Sequence, residues 1–174
     1  MAARSIEGTE PDIISAEWFS GFYRSNLPTV YGYLTRLCAG DRALAEDLTQ
    51  DTWFALVREL SHGHTSCADP RWLLSVARSR FIDWARRERR HTAKLALLRP
   101  LTEDTDELPE QTDVLATLAD LAPMHRLVLL MRYVEDLPVP VIAGEIGRNV
   151  TSTNSLLARA RAELRRQKAS HADG

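Results

Sequence analysis

The sequence predicts an all-α protein of two small helical domains joined by an acidic linker, and three observations predict it. Apolar residues recur at spacings of three and four through most of the chain, and they nowhere alternate for long enough to build a sheet. Two basic blocks, residues 71–90 with seven arginines against two acids and residues 148–168 with five arginines and a lysine against Glu163, flank an acidic one. That acidic block, 101–113, holds Glu103, Asp104, Asp106, Glu107, Glu110 and Asp113 with no base, and Pro100 and Pro109 discourage helix there. With 174 residues, 44% hydrophobic and 26% charged, the chain has apolar material for one medium core or two small ones.

Residues 1–14 lack periodicity and read as a flexible tail. Ser15 is a helix N-cap, followed by a stripe of Phe19, Tyr23, Leu27, Val30, Tyr31, Leu34 and Leu37. Pro28 falls inside this stripe and either breaks the helix or begins a second one. Gly40-Asp41 closes the segment. A second helix is predicted from about Asp41 to Leu60, with Leu44, Leu48, Leu56 and Leu60 apolar and either Phe54 or Ala55 completing the stripe. Residues 61–70 are loop by composition. Helix returns from Trp72 to about His91, with a short break near Arg78–Arg80, and Leu95–Leu98 is able to extend it.

Residues 15–92 are thus the first domain and 93–111 the linker. The second domain covers 112–168, and 169–174 is a tail. Within the second domain Val114, Leu115, Leu118 and Leu121 form one stripe, and Pro123 starts a helix carrying Leu127, Leu130, Met131 and Val134. Leu137 to Ile146, Gly147, and Thr151 to Gln167 outline a helix-turn-helix with a basic second helix.

Function is legible in three places. The 71–90 block interleaves Trp72, Phe81 and Trp84 with its arginines, the composition of a surface that holds phosphates and stacks on exposed bases. In the last helix, Thr151-Ser-Thr-Asn-Ser155 offers short polar groups to base edges, with Arg159 and Arg161 for the backbone. On the second helix Glu46, Asp47, Gln50 and Asp51 line one side, either as a solvated face or as a docking face for a basic partner. His62, His64 and Cys67 could each ligate zinc, but a fourth ligand at suitable spacing is missing, so no metal site and no cofactor are assigned. Cys38 reads as a small buried residue. No phosphate-binding glycine loop, His-Glu-x-x-His or Gly-x-Ser-x-Gly occurs, so no catalytic residue is assigned and the chain is read as a non-enzyme. The N-terminus has no apolar signal region and no stretch approaches a membrane span, which reads as cytoplasmic.

In this order the pieces resemble the extracytoplasmic-function (ECF) sigma factors of the sigma-70 family. Ala45-Glu-Asp-Leu-Thr-Gln-Asp-Thr-Trp-Phe54 is similar to the family's region 2.2, the run from Trp72 to Arg90 to regions 2.3 and 2.4, and Leu118 to Arg161 to region 4. The resemblance implies that Glu46, Asp47, Gln50, Asp51, Trp53 and Phe54 bind the β′ clamp helices of core RNA polymerase. It implies that Trp72, Arg78, Ser79, Arg80, Asp83, Trp84, Arg86, Arg87 and Arg90 recognise and melt the −10 element. Arg148, Thr151, Ser152, Asn154, Ser155, Arg159 and Arg161 would read the −35 element, and region 4 would meet the β flap. An anti-sigma factor is a further implied partner; a small-molecule substrate is not. The chain departs from the family pattern at Ser79, where Asn is frequent, at Val141 in place of Glu, and at Thr153 and Leu156 in place of Val and Arg. An arginine lost at position 156 would remove a contact worth about 1–3 kcal/mol if it read a base. Two other readings remain open: a helix-turn-helix regulator acting without polymerase, and a metal-dependent hydrolase built on His62, His64 and Cys67.

Overall fold

A computed structural model describes residues 15–96 and 119–172, which form six α-helices and one 3₁₀ turn with no strand among them. The expected tail 1–14, the linker from 97 onward with its acidic cluster, and the stripe Val114, Leu115 and Leu118 lie outside the described residues.

Helix α1 (Ala16–Leu37) starts at Ser15, whose Oγ accepts from the Trp18 N–H at 3.1 Å. Pro28 does not break it. The proline is exposed, so the backbone rung it removes faces solvent and the carbonyl it frees is on the wet side. Helix α2 (Arg42–Ser61) is capped by Asp41, which accepts from the Leu44 N–H at 3.0 Å. Its buried face includes Thr49 and Thr52, whose hydroxyls donate to the carbonyls of Ala45 and Leu48, both at 2.7 Å. Threonines enter this core because the helix itself satisfies their only polar group. A 3₁₀ turn (Thr65–Cys67) leads into helix α3 (Pro70–Ala96), which is continuous through Arg78–Arg80. The expected break is absent because Leu73, Ala77, Phe81 and Ala85 recur every four residues, with Ile82 beside them, and form one unbroken inner face. The helix also continues past residue 92 to Ala96, as the Leu95–Leu98 reading allowed.

Helix α4 (Pro123–Tyr133) opens on Pro123 at its first turn, as the sequence predicts. It is buried nearly all round, from Arg126 through Met131, because α1 and α3 cover one side and α5 and α6 the other. One apolar cluster therefore runs from Val30, Leu34 and Phe81 in the first half to Leu127, Met131 and Leu157 in the second. Helix α5 (Val139–Glu145) and helix α6 (Val150–Ala172) complete the fold, α6 reaching four residues beyond the expected end of the domain at 168.

The turn between α5 and α6 is set by Gly147 at φ +61°, where a Cβ would also stand 3.2 Å from the Arg86 guanidinium. Gly147→Ala is expected to destabilise the protein by about 1–2 kcal/mol, the strain of placing a side chain in the left-handed region. Urea unfolding followed by circular dichroism reads this, and an unchanged midpoint would refute the strained turn.

Candidate nucleic-acid interface

Three exposed faces carry the sequence-predicted residues. On α3, Trp72, Ser79, Asp83, Arg86 and Arg90 fall at helical intervals that keep them within about 60° of one another, over an axial length of about 27 Å. Ser79, Arg86, Arg87 and Arg90 are exposed, while Trp72, Asp83 and Trp84 are half-buried. Trp84 packs on Phe81 with ring centroids 5.3 Å apart, so the core fixes its orientation and leaves part of the ring open. The Asp83–Arg86 pair is 4.0 Å apart and half-exposed, too weak to hold Arg86 away from a stronger partner.

Arg78 does not join this face. It is buried on the inner side of α3, where its Nη1 donates to Glu135 Oε2 and its Nε to Glu145 Oε2 at 3.4 Å. Arg80 is half-buried, and its Nε is shielded from solvent with no hydrogen-bond partner in the protein. The expectation of a uniformly DNA-facing arginine cluster is corrected at Arg78. The period of 3.6 puts it one residue from Ala77 and three from Phe81, on the edge of the core stripe.

On α2, Glu46, Asp47, Gln50 and Asp51 are exposed, and Phe54 and Val57 continue the same side at 67% and 46% exposure. A small cleft of about 170 Å³ lies beside them, lined by Tyr23, Thr49, Gln50, Trp53, Phe54 and Val57. Trp53 is not on this surface. It is 6% exposed and boxed by Phe19, Phe22 and Tyr23, with centroids 4.6 to 6.4 Å away. Its expected contact with polymerase is therefore corrected to a core role, and the choice between Phe54 and Ala55 falls to Ala55 as the buried one. A tryptophan next to a phenylalanine gives no sequence signal of which faces in; the aromatic box on α1 decides it.

On α6, Thr151, Asn154, Ser155, Arg159 and Arg161 are exposed, and Ser152 is half-buried. Asn149 caps the helix by accepting from the Ser152 N–H at 2.7 Å. Thr153 is fully buried and donates to Asn149 O at 2.9 Å, and Leu156 is 4% exposed. The two departures at 153 and 156 thus sit in the core, and the expected loss of a base contact at 156 is corrected: Leu156 faces the bundle. Arg148 is half-buried and lines a groove of about 780 Å³ between the halves together with Arg89, Glu88 and Arg159.

The sequence singled out Arg86 only as a −10 residue and did not point to the contacts that join the halves. Tyr33 donates to Glu135 Oε1 at 2.9 Å, and Arg86 Nη2 donates to the Ile146 carbonyl at 2.9 Å. Arg126 is buried without a carboxylate partner; its guanidinium donates to the carbonyls of Leu37 at 2.6 Å and Leu121 at 3.0 Å, capping the end of α1 from α4. Burial lowers its pKa, but guanidinium remains charged at any ordinary pH. Near the α4 start, burial alone would raise the Glu163 pKa, but the Ala122 N–H at 3.0 Å and His125 hold it below the usual carboxylate range.

In the loop, His64 Nδ1 lies 2.8 Å from Glu59 Oε2, His62 Nδ1 lies 2.7 Å from the Arg58 carbonyl, and the Cys67 thiol donates to the His64 carbonyl at 2.7 Å. Among the described residues no three His, Cys, Asp or Glu side chains converge as a metal site. Burial, with Asp41 nearby, pushes the Cys38 thiol up to about 12, consistent with an inert core residue. No helix of the described residues is long and apolar enough to cross a membrane.

Comparison with known proteins matches residues 22–91 to the Sigma-70 region 2 model and residues 111–164 to the Sigma-70 region 4 model. The RNA polymerase sigma factor YlaC of Bacillus subtilis is 30% identical over 155 residues, covering 83% of this chain and 88% of that protein. The ECF RNA polymerase sigma factor SigM of the same organism is 27% identical over 82% of this chain and 90% of its own length. The sigma factor RpoE of Bartonella quintana, solved in complex with the anti-sigma factor NepR, superposes with a TM-score of 0.56 at 20% identity over 87% of this chain and 96% of that one.

Proposed function

The chain belongs to the ECF group of the sigma-70 family, and from that premise we propose which of its surfaces performs each step of promoter-directed initiation. A sigma factor gives core RNA polymerase its promoter and starts the melting of DNA, and the family is generally non-enzymatic. This chain is read in the same way, as a polymerase subunit without catalysis of its own, acting in the cytoplasm where polymerase and DNA meet.

The observation that carries the assignment is that three helices each present one chemically distinct exposed face. The α2 face, Glu46, Asp47, Gln50 and Asp51 with Phe54 at its end, docks on the basic clamp helices of the β′ subunit. Acids set the encounter and the phenylalanine supplies a buried anchor. The α3 face holds the non-template strand of the −10 element: Arg86, Arg87 and Arg90 on phosphates, Trp72 and Trp84 for stacking, and Ser79 beside the extruded base. Extruding a base costs a few kcal/mol, offset by the electrostatic and stacking contacts along α3 (about 1–3 kcal/mol per stacked base). The N-terminal half of α6, with Thr151, Asn154 and Ser155, enters the major groove at the −35 element, and Arg159 and Arg161 reach the backbone. Region 4 also meets the β flap. An anti-sigma factor is a further proposed partner, on the precedent of the Bartonella quintana RpoE complex.

Arg86→Ala with Arg87→Ala is expected to reduce open-complex formation and to lower the slope of log affinity against log salt by about 1.4, two single-strand phosphate contacts. Filter binding across a salt series measures it, and an unchanged slope would remove these arginines from the phosphate path. Run-off transcription from genomic fragments with core polymerase tests the whole reading: discrete transcripts dependent on this chain are the expected result, and none above the core background would defeat it.

A further inference from the structure

Helix α4 has no cap of its own. Its N-cap residue is Ala122, whose side chain cannot accept a hydrogen bond, and its first turn holds no acid. The missing group arrives from another helix. Glu163, in the C-terminal half of α6, accepts from the Ala122 N–H through Oε1 at 3.0 Å, and its Oε2 pairs with His125 Nδ1. One carboxylate thus satisfies an orphan donor at the start of α4, faces the positive end of that helix and grips a side chain in its first turn. The His125 and Glu163 side chains are only 19% and 18% exposed, so water competes little for the bond.

Glu163 is also the one acid in the basic block 148–168. On a helix that carries Arg159, Arg161, Arg165 and Arg166 toward a polyanion, an acid works against binding unless it has another task. Its place along α6 defines that task. The fully buried residues of this helix, Thr153, Leu156, Leu157 and Ala160, hold it by packing against α4 and α5. Apolar packing is non-directional and tolerates small slides and tilts. Glu163 stands three residues beyond Ala160 and adds a directional bond there. At 1.5 Å per residue Thr151–Ser155 lie about 12–18 Å back along α6, so a tilt of about 10° at Glu163 would carry them about 2–3 Å. A base-edge hydrogen bond does not survive a displacement of that size.

We propose that Glu163 is a positioning residue for promoter reading: by capping α4 and gripping His125 it fixes the tilt of α6, and with it the register of Thr151, Asn154 and Ser155 against the −35 base edges. The inference rests on the assignment of α6 to that element and gives the reading helix a fixed point. Ala122, His125 and Glu163 all lie in the second half, so the latch does not depend on what the first half binds.

The test uses holoenzyme, the full chain assembled with core polymerase, on a promoter obtained by run-off transcription. Filter binding gives its affinity for that promoter and for a copy with the −35 element scrambled, and the ratio of the two dissociation constants is the −35 discrimination. Both duplexes meet the same preparation, so any loss of folded protein cancels in the ratio, and thermal melting records that loss separately. Glu163→Ala and His125→Ala are each expected to lower the ratio about tenfold, the size of one lost base contact. Glu163→Gln still accepts from the Ala122 N–H, and His125→Asn keeps a donor near the place of Nδ1, so both are expected to recover the ratio to within about threefold of wild type. Wild-type discrimination in Glu163→Ala, at any melting temperature, would overturn the positioning role while leaving α6 on the −35 element. Losses in the amide variants as large as in the alanine ones would overturn it too, because the bond and not the bulk is what positions the helix. A wild-type ratio near one would remove α6 from the −35 element, and the role of the latch with it.

Discussion

Asp47→Arg combined with Asp51→Arg is expected to lower the affinity of the chain for core RNA polymerase by at least about a hundredfold, with helical content and melting temperature unchanged. Both residues are exposed on the outer side of α2, and neither contributes to the core. Reversing two charges on a docking face places like charges against a basic partner, an arrangement that costs several kcal/mol, and each 1.4 kcal/mol is tenfold in affinity. Phe54→Ala on the same side should act through a different term. Its ring is 67% exposed in the free chain, so removing it leaves folding within about 0.5 kcal/mol. In the complex it is an aromatic anchor, and its loss should weaken docking by 2 kcal/mol or more, about thirtyfold. Calorimetric titration against core polymerase and thermal melting separate the two quantities. Wild-type affinity in both variants would remove α2 from the polymerase interface.

Trp53→Ala, one residue earlier, is expected to do the reverse: a loss of about 3–5 kcal/mol in folding stability. Trp53 is closed in by Phe19, Phe22 and Tyr23, at edge and tilted geometries, and joins α2 to α1. Truncation leaves a cavity bounded by three rings that are themselves anchored in α1, so collapse around it is incomplete. With native domains stable by about 5–15 kcal/mol, such a loss should produce visible unfolding at physiological temperature. Urea denaturation reads it, and a change below about 1 kcal/mol would mean that the aromatic box is not what holds α1 on α2. The two neighbouring substitutions together distinguish a docking residue from a packing residue on one helical turn.

Much of this was legible without coordinates. The cap at Ser15, the entry of α4 at Pro123 and the glycine turn at Gly147 are local signals: each depends on one residue's hydrogen-bonding groups or backbone freedom, and each is where the sequence puts it. Family membership was legible too, because three loose motifs in the right order are together far more specific than any one of them. Local reading failed where two interpretations share the same local pattern. Pro28 inside α1 and the unbroken stretch at Arg78–Arg80 were resolved by which face each presents to water or to the core.

What the sequence by itself determined is the all-α fold class, the start and end of most helices, and the chemistry on offer: acids on α2, arginines with aromatics on α3, short polar groups on α6. These follow from periodicity and residue type, which are properties of a chain segment. Only the tertiary structure decided which of those groups are available. The aromatic box on α1 turned Trp53 into core, packing of α6 against α4 and α5 did the same for Thr153 and Leu156, and the meeting of the halves tied Arg78 to Glu135 and Glu145, residues 57 and 67 positions away. The physical reason is that burial and charge pairing depend on neighbours distant along the chain, and no local pattern around an arginine records which carboxylate it will meet.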